Sequence, residues 1–330
     1  MNLDFGGKKL ITGIGASLID VLLFEDDKFV NSISDIKGGM TLVDNDFINK
    51  ALSMTKNELT IVPGGATCNT LLGIGRLGGT SKFAGKRGDD EMGSLFENDI
   101  EKNMVSPEMI VSTDDPTGRV LSVITPDAQR SMFTYLGAAA SLGPDDVDEN
   151  LFDGSAIAIV EAYLLFNDPS PAISALKSAK KSGAHIAMDL SSFTVVEVFK
   201  DLLENEIMSY VDILIANEDE AKAFTGHTDE AKAIEALSKY AKIAVLKVGK
   251  KGSYIACGGK VTRIEPKGSG DAVDTTGAGD LWAAGFLYGL VNGFSIEKSG
   301  EIASACGFEV CQVVGANIPD TGWDRIKNII

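Results

Sequence analysis

The sequence predicts an α/β fold: a mostly parallel sheet with helices on both faces, plus a small β-sheet lid. Two observations predict the sheet. Apolar, strand-like runs alternate with helical patterns through most of the chain, and they do so at the spacing of βαβ units. A third predicts the lid. Two regions, about 21–39 and 119–136, break that rhythm with alternating polar and apolar residues and turn signals. The 330 residues read as one such α/β domain, 1–330, with the lid formed by those two insertions.

At the N-terminal end, Lys8-Lys9 and the apolar stretch after them imitate a short signal peptide. Asp20 and the missing small-residue cleavage site weigh against one. The stretch reads instead as a first buried strand ending in Gly13-Ile14-Gly15, with Asp20 following it. Further on, Pro63-Gly64-Gly65-Ala66-Thr67-Cys68-Asn69 leads into a helix. Gly64 and Gly65 permit close approach of a ligand, Asp20 can accept two hydrogen bonds from a vicinal diol, and Asn69 can both donate and accept. Singly they are turn and cap residues; together they form a candidate sugar-recognition set. Later in the same helical pattern, Gly73, Gly75 and Gly78 have the spacing of a dinucleotide fingerprint, the one basis for an NAD-dependent oxidoreductase. They do not open a helix straight after a strand, so they read as packing and termination. Gly85-Lys86-Arg87 imitates the end of a phosphate-binding P-loop, but Thr80 stands where its first glycine belongs and Arg87 where its Ser or Thr belongs.

In the second break, 119–125 and 131–135 flank the turn Pro126-Asp127-Ala128 and read as a β-hairpin. Strands are expected at 156–160, 185–190, 211–216 and 242–248, with helices at 171–182 and 229–240 among them. The strand 211–216 delivers Asn217 at its C-terminal end, where open α/β sheets bind ligands, and Glu220 follows on the same helical face. An amide and a carboxylate there can orient the waters of Mg²⁺ or phosphate oxygens; they also make a capping-box pattern. Lys247 ends the next strand and runs into a Gly249-Lys250-Lys251-Gly252 turn with a returning strand at 253–257. That is a plain hairpin, or a glycine turn that lets backbone approach an adenine or ribose.

The most informative stretch is Asp274-Thr275-Thr276-Gly277-Ala278-Gly279-Asp280, which runs straight into a wholly apolar helix starting at Leu281. Its glycines sit at a helix N-terminus, where unpaired N–H groups and the helix dipole favour an anion. Asp280 supplies a carboxylate beside that anion site. An anion site plus an adjacent base is the minimum equipment for moving a phosphoryl group onto a hydroxyl.

Composition bounds the partners. With 30 Lys+Arg against 47 Asp+Glu the formal charge is −17 and no basic cluster interrupts it, so a nucleic-acid footprint is missing. Phosphates must then be held by local devices rather than by overall field. The four cysteines form no CxxC pair and there are only two histidines, which argues against a zinc site and a His-based triad and for a reducing, cytoplasmic setting. No apolar run reaches membrane-spanning length, so no membrane partner is expected.

Taken in chain order, the Gly64-Gly65 to Asn69 segment, the Asn217 to Glu220 box, the Gly249/Gly252 turn and the 274–280 stretch resemble the ribokinase/PfkB carbohydrate-kinase superfamily. The resemblance spans nearly the whole chain. It implies a doubly wound α/β domain with a β-lid, ATP and Mg²⁺ as cofactors, and phosphoryl transfer to a small-molecule hydroxyl. Asp280 would be the catalytic base, and the amides of Gly277, Ala278 and Gly279 the anion hole. Asn217 and Glu220 would organise Mg²⁺–ATP, Glu220 through water, while Lys247, Gly249 and Gly252 would border the nucleotide, with Asp274 and Thr275 in the same set. Asp20, Gly64, Gly65 and Asn69 would hold the acceptor.

Within the superfamily, Lys37-Gly38-Gly39-Met40-Thr41-Leu42-Val43-Asp44 and Thr134-Tyr135-Leu136-Gly137-Ala138-Ala139-Ala140 look most like the bacterial adenosine-kinase-type branch. Ala16 stands where many members carry an asparagine, which removes one hydroxyl contact. Adenosine is the first candidate acceptor, other nucleosides the second, and sugars such as ribose or fructose the third. A monovalent cation near Asp274, a monomer or a lid-mediated homodimer, and a non-catalytic nucleotide sensor on the same fold stay open at this point.

Overall fold

The computed structural model describes residues 3–127, 129–269 and 271–330. The chain opens with β1 (Leu10–Ile14) and β2 (Leu18–Phe24), then α1 (Asp27–Ile33), β3 (Gly39–Leu42), α2 (Asn45–Met54), β4 (Leu59–Gly64) and α3 (Ala66–Arg76). Next come β5 (Ser81–Gly88), α4 (Glu91–Lys102), β6 (Val105–Ser112), β7 (Thr117–Ile124) and β8 (Arg130–Gly137). The second half continues with β9 (Ser155–Glu161), α5 (Ser170–Ser182), β10 (His185–Asp189), α6 (Phe193–Asn205) and β11 (Ile213–Asn217). There follow α7 (Glu218–Thr225), α8 (Glu230–Leu237), β12 (Ile243–Lys247), β13 (Ser253–Cys257) and β14 (Lys260–Ile264). Three helices close the chain: α9 (Ala278–Val291), α10 (Ile296–Val310) and α11 (Asp320–Lys327).

Nine strands form the main sheet in the order β14-β13-β12-β11-β10-β9-β1-β5-β6. From β12 to β6 all neighbours are parallel; β13 and β14 return antiparallel at one edge. The strand order reverses between β1 and β9, which is where a doubly wound sheet opens a crevice beyond its strand C-termini.

Side-chain alternation along the parallel strands explains the helices on both faces. Ile157, Ile159, Ile213 and Ile215 point into one core with Leu71 of α3, Phe286 of α9, Ile302 of α10 and Trp323 of α11. Their neighbours Ala158, Val160, Leu214 and Ala216 point into the other, with Leu176 of α5, Val196 of α6, Phe224 of α7 and Ile234 of α8. Strands buried on both faces read as continuous apolar runs, which is why they were legible in the sequence. Helix α9 is apolar all round because α3 and α10 cover it. No helix among the described residues is long and apolar enough to cross a membrane.

A second, five-stranded sheet has the order β3-β8-β7-β2-β4. Here period 2 divides the two faces: Ile19, Val21, Leu121 and Phe133 enter the core, while Leu18, Asp20, Val120, Met132 and Leu136 face a cleft. The expected hairpin is present as antiparallel β7 and β8, although Ala128 of its expected turn lies outside the described residues.

The sheet differs from the expected lid segments in two ways. It begins at Leu18 and takes in β4, and the 21–39 segment contains α1. That helix starts because the Asp26 carboxylate accepts the Phe29 N–H at 2.9 Å, and Phe29 and Val30 bury. Asp20 accordingly lies inside a strand of the second sheet, opposite Val62, rather than in the turn after β1. The glycines spaced as a dinucleotide fingerprint fall late in α3 and just after it. Gly73 packs against Leu281 and Ala284 of α9, and Gly78 takes a left-handed φ of 87° beyond the helix end.

Candidate active site

Four adjacent parallel strands, β9 to β12, terminate in Glu161, Asp189, Asn217 and Lys247. These side chains floor a cleft of about 410 Å³ at the C-terminal edge of the sheet, beside the switch point. One wall is the start of α9, with Thr276, Gly279 and Asp280. The inner face of the second sheet is opposite.

The start of α9 follows from its glycine. Gly277 is the N-cap residue with φ 72°, a left-handed conformation that side chains disfavour, and the helix runs from Ala278. The Ala278 N–H donates to the Thr275 carbonyl at 3.2 Å, so in this geometry that amide is used within its own turn. Gly279 is on the cleft wall, and a Cβ placed on it would lie 3.0 Å from Lys247 Nζ. Thr275 is exposed and stands outside the cleft lining, whereas its neighbour Thr276 is part of it.

Asp280, in the first turn of α9, is held from α3. Asn69 Nδ2 donates to Asp280 Oδ2 at 2.9 Å, and Thr70 Oγ1 donates to the Asp280 carbonyl at 3.1 Å. Desolvation in the cleft raises the Asp280 carboxyl to about 7, with Asp189 and Glu161 adding to the rise and Asn69 and Lys247 opposing it. Asn69 thus serves the Asp280 carboxylate directly; it is buried and is not among the residues lining the cleft.

Asp274 orders the loop before α9. Its Oδ1 accepts the Thr276 N–H at 3.0 Å and the Thr276 hydroxyl at 2.8 Å. Its Oδ2 accepts the Gly315 N–H at 2.8 Å and faces Arg130 Nη1 at 3.4 Å. Arg130, on β8, also donates to Ser122 Oγ at 2.7 Å and to Thr276 Oγ1. One guanidinium therefore ties the second sheet to the loop.

At the end of β11, Asn217 caps α7 in a reciprocal box. Glu220 Oε2 accepts the Asn217 N–H at 2.8 Å and Oε1 accepts Asn217 Nδ2 at 2.6 Å, while Asn217 Oδ1 accepts the Glu220 N–H at 2.9 Å. Glu220 is buried yet lines the cleft, so the capping and cleft-facing positions coincide. Burial pushes its carboxyl up to about 7, Asp189 adds to the rise, and Lys247 opposes it. Lys247 donates to Asp189 Oδ2 at 3.1 Å. Burial pulls its proton affinity down, but Asp189, Glu220 and Asp280 outweigh that and hold the ammonium above its usual value.

Gly249 and Gly252 lie in the turn after β12, outside the cleft lining; a Cβ on Gly252 would meet the Ile264 carbonyl at 2.1 Å, so the close pass of the chain after β14 constrains it. Beside β2, a Cβ on Gly64 would lie 2.5 Å from the Asp20 carboxyl carbon, so the absent side chain makes room for that carboxylate. Burial raises Asp20 to about 6 against the pull of Arg130. Gly65 caps α3 and lines the cleft.

Three cleft residues were not found from the sequence: Glu161, Asp189 and Arg130. Glu161 is buried and accepts two backbone donors, Ala16 N–H at 3.0 Å and Thr67 N–H at 2.7 Å, joining the β1–β2 loop to the start of α3. A signal existed for the two carboxylates, since Glu161 directly follows the expected strand 156–160 and Asp189 stands next to the end of the expected strand 185–190. Arg130 is a cation at the cleft-facing phase of the expected hairpin.

Residues 33–322 match the family model described as pfkB family carbohydrate kinase. The solved adenosine kinase from Sinorhizobium meliloti is similar at 32% identity, covering 98% of this chain and 100% of that one with a TM-score of 0.87. A probable sugar kinase from Rhizobium etli is similar at 28% identity, covering 98% and 99% with a TM-score of 0.89. Adenosine kinase from Saccharomyces cerevisiae is 29% identical over 79% of this chain and 81% of its own length. With the buried Asp280 carboxylate, the glycine-opened helix and the two-sheet cleft described, the chain belongs to the pfkB carbohydrate-kinase family, as an ATP-dependent phosphotransferase acting on a hydroxyl of a nucleoside or a sugar.

Proposed function

We propose that the acceptor is a nucleoside, adenosine first, phosphorylated on its primary hydroxyl with Asp280 as general base. The observation that carries this reading is the polarity of the cleft. Asp280 and Gly279 stand side by side at one end, while the second sheet lines the acceptor end with Met40, Leu42, Val120, Met132 and Leu136 and contributes Asp20. A free sugar carries hydroxyls all round, and several would face those apolar side chains without partners. A nucleoside fits the division: its ribose diol bonds to Asp20 near Gly65, and its planar base covers the apolar wall. The adenosine kinases among the similar proteins support the same choice.

In the transfer, the acceptor hydroxyl gives its proton to Asp280 as its oxygen bonds to the γ-phosphorus. The bond to the β,γ-bridging oxygen breaks and ADP leaves with that electron pair. The raised Asp280 carboxyl suits this role, because a base working near neutral pH needs a pKa near 7. Asn69 fixes which carboxylate oxygen is free. Gly279 lets the phosphoryl group approach the helix N-terminus, where the N–H groups and dipole stabilise its charge. Asn217 borders the phosphates from β11, and the Gly249–Gly252 turn borders the nucleoside end of ATP.

The residues present also suit Mg²⁺. Asp189 and Glu220 repel each other at the cleft floor, and a divalent cation relieves that repulsion. Among the described residues no three His, Cys, Asp or Glu groups converge into a metal cage, which matches an ion that keeps most of its waters and arrives with a polyphosphate. Glu220 and Asp189 would hold it through those waters, and when bound it neutralises phosphate charge.

Substituting Asp280→Asn tests the mechanism. Steady-state assays should show kcat lower by roughly a hundredfold or more, the scale of a lost general base, with ATP affinity near the unsubstituted value. Unchanged turnover would remove Asp280 from this role.

A further inference from the structure

The cleft presents an electrostatic problem. Asp20, Glu161, Asp168, Asp189, Glu220 and Asp280 line it, against only two cations among the described lining residues, Arg130 and Lys247. The whole chain carries −17, so no surrounding field helps to bring a polyanion in. Arg130 is already engaged by Asp274, Thr276 and Ser122. Lys247 has one hydrogen-bonded partner, Asp189, and its Nζ lies 3.0 Å from where a Cβ on Gly279 would be. An ammonium so placed borders both the cleft floor and the helix N-terminus that receives the transferred group.

The geometry points to Lys247 as a catalytic residue that contacts the transferred phosphoryl group, with Asp189 as the positioning residue that holds its ammonium in the free enzyme. This assignment rests on the reading of Asp280 and the glycine-opened helix above, and it moves Lys247 from the border of the nucleotide to the reacting group. Register supports it: Lys247 pairs with Asn217 and closes β12, so its side chain rises from the same sheet edge that presents the phosphate-facing groups. A four-carbon stem spans the short transfer from Asp189 to the phosphoryl oxygens without backbone movement. Lys247 stays protonated throughout, the acceptor proton goes to Asp280, and the ammonium balances the charge that spreads over the phosphoryl oxygens.

Three variants test it in the intact protein with Mg²⁺–ATP and adenosine. Lys247→Met should lower kcat by about a hundredfold, the scale of removing one preorganised donor from a charge-stabilising site. It should also weaken ATP binding in calorimetry several-fold more than ADP binding, because only ATP carries the γ-phosphoryl group. Because Lys247→Met alone leaves Asp189 without its cation, the double variant Lys247→Met with Asp189→Asn keeps the test open if the single variant does not fold. The double variant should recover thermal stability, and Lys247→Arg should recover part of the turnover. Recovery of full turnover in the double variant would reduce Lys247 to charge balance and overturn the assignment, as would equal losses of ATP and ADP affinity. Failure of the unsubstituted enzyme to release ADP from any acceptor would instead refute the underlying kinase reading.

Discussion

Asp280 shows how much of the chemistry depends on a single side chain and its surroundings. Desolvation raises its carboxyl to about 7, and Glu220 reaches about 7 as well, with the Asp189 charge adding to both rises. A general base acts only when deprotonated, so kcat/KM should fall as pH drops below about 7 and level off above it. Replacing Asn69 with Ala removes the bond that lowers the Asp280 pKa, so the limb should move to higher pH; a pH–rate profile that stays in place would contradict the role given to Asn69. The residue scale is also where sequence reading stopped short. Asp280, Asn217 and Lys247 announced themselves by glycine-rich or strand-end contexts. Glu161 has a strand-end context too, but its role of accepting two backbone N–H groups distant in sequence is encoded in no local pattern.

At the scale of elements, the strand-to-helix passage from β4 to α3 shows why the proposed acceptor site needs glycine. A Cβ on Gly64 would sit 2.5 Å from the carboxyl carbon of Asp20 in the paired strand β2. Gly64→Ala should therefore push Asp20 aside and raise the acceptor KM at least about tenfold while changing the KM for ATP little, since Asp20 accepts hydrogen bonds from the diol alone. Comparable changes in both KM values would show that Asp20 does not recognise the acceptor. Elements buried on both faces, such as β9, β11 and α9, were legible because their apolar runs have one explanation. Helix α1 was not, because a short helix started by Asp26 and buried through only Phe29 and Val30 leaves little periodicity to read. The second sheet takes in β4, which the two expected segments omit, since β4 pairs with β2 across the intervening α1, β3 and α2.

For the whole molecule, two sheets meet at a cleft over the switch point of the larger one, and Arg130 bridges them by reaching from β8 to the loop before α9. Movement of the second sheet against the first would open and close the cleft, and the Arg130 bridge is the contact such a movement makes or breaks. The same bridge bears on a monovalent cation. Asp274 already takes donors from Thr276, Gly315 and Arg130, which fill the acceptor positions of its carboxylate. Turnover should therefore stay within about twofold when potassium chloride is replaced by choline chloride; a collapse of activity would mean that a cation displaces one of those donors. The reaction class was legible from the glycine-opened helix and its aspartate, whereas the acceptor was not, because the side chains proposed to discriminate it alternate along strands whose cleft-facing phase only the fold reveals.

The central claim, phosphoryl transfer from ATP to a nucleoside held against an apolar sheet, is tested most directly by measuring ADP release over a panel of nucleosides and free sugars with Mg²⁺–ATP in excess. The account predicts that adenosine gives the highest kcat/KM, at least about tenfold above ribose and fructose, the scale on which buried unpaired hydroxyls discriminate. A free sugar as the preferred acceptor, or no ADP from any acceptor, would contradict it.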